Sequence, residues 1–220
     1  SLITNWGVMN AAFGIQRIQF ESENPFWCNE FNTMTSVPNS IRKSAYATLM
    51  YGNQMVCGWT WQSMWAGEEQ YLQGMIDWDG VPNRKYDEYK KIAAEFKKIE
   101  KYFPYKNKAE VGLAFSFASQ IASGAFPVQH DGQIQACWDM FYWRNMDCKM
   151  LEISQSSLKY KLLIVPGLAV MDELTANKIR AFIENGGTVI MTANSAIVDT
   201  TGQVFATTLP GLLSDVFGIR

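Results

Sequence analysis

Residues 160–194 read "YKLLIVPGLAVMDELTANKIRAFIENGGTVIMTAN". The run Tyr160–Gly167 is apolar without alternation, the pattern of a strand buried on both faces. Asp172–Gly187 carries apolar residues at helical spacing, an acidic first turn and a Gly pair past its end. Acids suit the positive end of a helix, and glycine accepts the left-handed conformation that stops one. Thr188–Asn194 is apolar again and reads as another buried strand. Strand, helix, strand without alternation predicts a parallel β/α unit.

The same pattern extends toward the N-terminus. "EVGLAFS" (110–116) reads as a strand, "DGQIQACWDMFYWRNM" (131–146) as a helix and "CKMLEI" (148–153) as a strand. Residues 107–220 therefore predict a small, doubly wound α/β domain. Residues 1–106 also alternate. "RIQFES" (17–22) and "PFWCNEF" (25–31) look like strand pieces. "SIRKSAYATLMYGNQ" (40–54) has Ile41, Ala45, Leu49 and Met50 on one side of a helix, with Ser40 as N-cap and Gly52 as stop. "MVCGWTW" (55–61) reads as a buried strand, a long loop follows, and residues 86–103 form a helix with Tyr89, Ile92, Ala93, Phe96 and Ile99 on its apolar side. A closed (β/α)8 barrel needs eight strands and about 250 residues, so residues 1–106 fit only the C-terminal part of one. The polar "PYKNK" (104–108) is the expected connector.

The chain has 220 residues, 48% of them hydrophobic and 18% charged, with net charge −2. That balance offers no basic footprint for nucleic acid, and no apolar run approaches the roughly 20 residues of a membrane helix. Nothing in it sets the compartment. Cys28, Cys57, Cys137 and Cys148 lack CxxC spacing, and Cys28 and Cys57 are expected as buried thiols. The single histidine, His130, lies in the polar stretch "VQHDGQ" and is expected to be solvated. No metal site or cofactor is predicted.

Chemistry concentrates where strands end. In parallel barrels functional groups sit at C-terminal strand ends and in the loops beyond. Glu30 closes "PFWCNE"; Trp59, Trp61 and Gln62 close the next strand, and Glu68 and Glu69 follow in its loop. A strand-end Glu can attack an anomeric carbon, with a second carboxyl group ~5 Å away serving as acid and base. Asn29 is placed to orient Glu30 or bind a sugar hydroxyl. Tryptophans between Trp59 and Trp78, Trp61 and Trp65 among them, alternate with polar residues, which suits the apolar C–H face and hydroxyl edge of a pyranose. By spacing alone a solvated strand-terminal acid is the commoner case, and for the indoles composition weighs space filling beneath a loop equally with sugar binding.

"NPFWCNEF" and "CGWTWQSMWAGEEQYLQGMIDWDGVPNRKYDE" resemble the end of the catalytic barrel of glycoside hydrolase family 42, the β-galactosidases. "YKLLIVPGLAVMDELTANKIRAFIENGGTVIMTANSAIVDTTGQV" and "LPGLLSDVFGI" resemble that family's trimerisation domain. The resemblance implies the end of a TIM barrel followed by a flavodoxin- or amidotransferase-like domain. It implies a retaining hydrolase of terminal β-galactosides assembled as a homotrimer. Glu30 matches the nucleophile, Trp61 the tryptophan ending the eighth strand, and Glu69 the loop acid that binds sugar hydroxyls. Leu72, Gln62 and Pro38 stand where the family has His, Arg and Trp, which predicts an altered sugar pocket. One strand–helix unit follows Glu30, so it is expected on strand seven, with the acid/base on strand four, upstream of Ser1 and leaving these residues inactive alone. The second domain also resembles class I glutamine amidotransferases, but Cys137 lies mid-helix, Cys148 opens a strand and no G-x-C-x-G occurs, so no catalysis is expected there. The alternative is a non-catalytic oligomerisation or carbohydrate-binding module.

Overall fold

A computed structural model describes residues 26–32, 37–103, 108–124 and 129–219. The expected strand at 17–22 and most of the expected connector, residues 104–107, lie outside the described residues. The chain divides into two compact units, Ser1–Asn107 and Lys108–Arg220. Parallel strands dominate both, so the chain is an α/β protein.

In the first unit β1 (Phe26–Asn32) pairs in parallel with β2 (Asn53–Trp59). Helix α1 (Ser40–Met50) connects them, and α2 (Arg84–Ile99) follows the long loop. Among the described residues a core cluster gathers Phe31, Ile41, Ala45 and Ile92, flanked by Cys28, Val56, Tyr89 and Phe96. Gly58 permits this packing, because a Cβ there would lie 2.7 Å from the Tyr89 ring.

Helix α1 begins differently from the expectation. Asn39, not Ser40, is the N-cap; it takes a left-handed conformation (φ 63°) and its side chain makes no cap bond. Instead Glu88 of α2 accepts the amides of Asn39 (3.2 Å) and Arg42 (2.9 Å). Arg84 neutralises the same carboxylate at 2.8 Å. One buried acid thus supplies α1 with its cap and joins the two helices. The expected stop is found: Gly52 follows the helix in the left-handed region, at φ 97°.

The expectation that β2 is buried on both sides does not hold. Val56 faces the helices, whereas Met55, Cys57 and Trp59 are exposed. Cys28 is half-buried and Cys57 exposed, correcting the expected pair of buried thiols. A strand can be apolar on both faces while the described elements cover only one of them.

The second unit contains β3 (Val111–Phe115), α3 (Phe117–Ala122), α4 (His130–Tyr142), β4 (Cys148–Glu152), β5 (Leu162–Val165), α5 (Glu173–Glu184), β6 (Thr188–Met191) and α6 (Ser214–Phe217). The sheet is parallel in the order β4-β3-β5-β6. The four strands expected from sequence are all present, and β3 is buried at every position. Leu151, Leu163, Val165, Ala176 and Ile179 anchor its core. Asp172 caps α5 by accepting the Thr175 amide at 2.6 Å. The expectation of a fully buried β6 is corrected: it is an edge strand whose Ile190 is half-exposed.

His130 is a further correction. It is fully buried at the start of α4 rather than solvated in a loop. Nδ1 lies 2.8 Å from the Pro166 carbonyl, and Nε2 accepts the Ser116 amide at 3.2 Å. A backbone amide only donates, so the proton sits on Nδ1 and the ring is neutral. Burial pushes its pKa down. The imidazole ties the exit of β3 to that of β5, and this local role outweighs the polarity of its sequence neighbours.

Candidate active site

The open rim of the first unit is built by the two parallel strands and the loop after β2. Register sets the geometry. Cys28 pairs with Val56 and Phe31 with Gly58, so three steps along β1 match two along β2. The extra residue is a bulge at Asn29–Glu30, a device that re-aims side chains. Cys28 and Phe31 pack toward the helices, while Asn29 and Glu30 are both exposed between them. Glu30 lies within β1 rather than at its end, since the strand continues to Asn32. Among the described residues its carboxylate has no hydrogen-bond or ion-pair partner. Its backbone N–H bonds the Cys28 thiol; burial raises that thiol's pKa and the bond partly offsets the rise.

Beyond β2 the chain is laced rather than loose. Met75 and Ile76 amides bond the carbonyls of Thr60 (3.0 Å) and Trp61 (2.9 Å). Ser63 Oγ accepts the Gly74 amide at 2.9 Å and donates to Ile76 O at 3.1 Å. Asn83 caps α2 and donates to Gly74 O and Asp77 Oδ1. Trp61 is 57% exposed and meets Tyr86 edge-on, with ring centroids 5.9 Å apart. Trp65 is more exposed still, at 77%. Glu69 is half-buried in a turn closed by the Leu72 amide on its carbonyl (2.9 Å).

The structure therefore sets Asn29 and Glu30 side by side, with Trp61, Trp65 and Glu69 in the loop that follows the neighbouring strand. Among the described residues no hydrogen bond or ring contact joins Glu30 to that loop. None groups three or more His, Cys, Asp or Glu side chains in a way that could hold a metal ion. Sequence reasoning missed the group around Trp78 and Lys85. Lys85 is 5% exposed and donates to Gln73 O and Oε1 (3.2 and 3.3 Å). Burial lowers its pKa, and Asp77 works against that. The signal in sequence was Trp78 between two aspartates.

Comparison with known proteins sets this geometry in a family. The protein-family model of the β-galactosidase trimerisation domain matches residues 57–220, most of the chain. The chain belongs to that family. β-Galactosidase BgaB of Geobacillus sp. (strain Y412MC61) is 29% identical over 188 residues, 83% of this chain and 28% of the relative. BgaA of Clostridium cellulovorans is 24% identical over 190 residues, 84% of this chain and 29% of the relative. The chain thus spans less than a third of the length of these relatives. Among solved structures, a catalytic mutant of Gan42B, a family 42 β-galactosidase from G. stearothermophilus, superposes with TM-score 0.86 at 20% identity. That match covers 96% of this chain and 33% of the other. The enzyme of Halorubrum lacusprofundi superposes with TM-score 0.82 at 22% identity over 95% of this chain and 33% of its own. These structures share its fold.

Proposed function

We propose that the chain is part of a retaining β-galactosidase of glycoside hydrolase family 42, cleaving terminal β-galactosides through a covalent glycosyl-enzyme on Glu30. In this reading residues 1–106 form the end of a (β/α)8 barrel, and residues 107–220 a flavodoxin- or amidotransferase-like domain that assembles a homotrimer. Asn29 orients the nucleophile or binds a sugar hydroxyl. Trp61 and Trp65 offer ring faces to the pyranose, and Glu69 accepts from its hydroxyls. The acid/base comes from a part of the protein outside these residues, so these residues alone are inactive.

The observation that carries the reading is the bulge at Asn29–Glu30, where an exposed carboxylate with no hydrogen-bond or ion-pair partner among the described residues sits on a parallel strand pair. The relatives named β-galactosidase and the family match support the substrate class. A nucleophile must be ionised and unencumbered to attack the anomeric carbon. The test is hydrolysis of a chromogenic β-galactoside by the full-length gene product and its Glu30→Gln variant. Turnover by the variant is expected to fall about a thousandfold or more. Equal turnover by both proteins removes Glu30 from the chemistry.

A further inference from the structure

The loop between β2 and α2 holds a cleft that none of the five candidate residues lines. It is an open cleft of about 540 Å³ beside Trp78, lined by Gln73, Asp77, Asp79, Arg84 and Lys85. That volume is in the range of small-ligand sites. The indole N–H of Trp78 is committed inward, to the carbonyls of Met64 (2.7 Å) and Gln70 (3.3 Å). These bonds pin the ring. An indole has one donor, so what Trp78, a residue 44% exposed, still offers the cleft is its apolar ring. Asp77 and Asp79 each give one carboxylate oxygen to the loop's own donors, Asn83 Nδ2 at 2.7 Å and the Val81 amide at 3.0 Å. The second oxygen of each has no partner among the described residues.

We propose that this cleft is a second carbohydrate-binding site, taking one pyranose unit of a galactoside chain. The sugar's C–H face lies on Trp78 and its hydroxyls donate to Asp77 and Asp79. The pinned ring is preorganised, which lowers the entropy cost of binding. A protein partner fits less well, because interface centres are depleted in charge, whereas aspartates, an arginine and a lysine line this wall. The choice of a galactoside rests on the proposed function; the site itself rests on the cleft.

The test is affinity gel electrophoresis of the full chain through a soluble β-galactan, comparing wild type with Trp78→Ala and Asp79→Asn. Asp79→Asn keeps a carbonyl oxygen for the Val81 amide, so the turn survives while the sugar acceptor is lost. Wild type is expected to be retarded. Trp78→Ala is expected to bind about tenfold more weakly, with Asp79→Asn also weakened and both variants keeping wild-type circular dichroism. An unretarded wild type overturns the proposal, and so do Trp78→Ala and Asp79→Asn chains that are retarded as strongly as wild type. So does a Trp78→Ala chain with altered sedimentation mass and unaltered retardation, which makes the surface a protein interface. Retardation by a β-glucan but not by the galactan overturns the galactoside choice. Loss of hydrolysis in full-length Glu30→Gln reports separately on the proposed nucleophile.

Discussion

At the scale of single residues, His130 shows how burial turns a polar side chain into a structural link. Its ring donates to one carbonyl and accepts one amide, so a second proton on Nε2 would face the Ser116 N–H. Burial lowers its pKa in the folded state, opposed by the Pro166 carbonyl and by Asp131, Gly167 and Glu152. The unfolded chain, with an ordinary imidazole near ~6.5, therefore binds the proton first. Stability is full above that value and declines as pH falls toward the lower folded pKa. The melting temperature of the wild type is expected to drop between pH 7 and pH 5 more steeply than that of His130→Gln. Parallel profiles would show that another group sets the acid limit.

Elements are joined here by charges as much as by core. Glu88 is 8% exposed and satisfies two amides at the start of α1 together with the Arg84 guanidinium. Removing it takes the acceptor from the Asn39 and Arg42 amides, and Glu88→Ala is expected to cost about 2–4 kcal/mol in urea unfolding. Glu95 bonds Arg42 at 2.7 Å and Tyr46 at 3.0 Å between the same two helices, but its partner arginine is 38% exposed. The Arg42 hydrogen bond holds the Glu95 carboxyl below its usual range. Water screens this pair, so Glu95→Ala is expected to lower the urea midpoint much less than Glu88→Ala does. Equal costs for the two variants would mean that the Glu88 cap is not what fixes α1. Neither link was legible in sequence, because Glu88 lies 46 and 49 residues from the amides that it caps.

At the scale of the whole molecule, membership in the trimerisation-domain family carries an expectation about assembly. The full-length gene product is expected to sediment at three times its chain mass at micromolar concentration. A monomer there would remove the homotrimer from the proposed function while leaving the chemistry of Glu30 to its own test.

The amino-acid sequence by itself determined the parallel α/β character and the four strands of the second unit. A parallel strand covered by helices must be continuously apolar, and that pattern is local. It also pointed to the candidates: Trp61, Trp65 and Glu69 follow the end of β2, whereas Asn29 and Glu30, expected at a strand end, lie in a bulge within β1. Only the tertiary structure decided which face of β2 is covered, that β6 is an edge, that His130 is buried, and that Trp78 lines a cleft. Each of those depends on partners brought together from elsewhere in the chain or on a neighbouring strand, and no local periodicity encodes which surfaces meet.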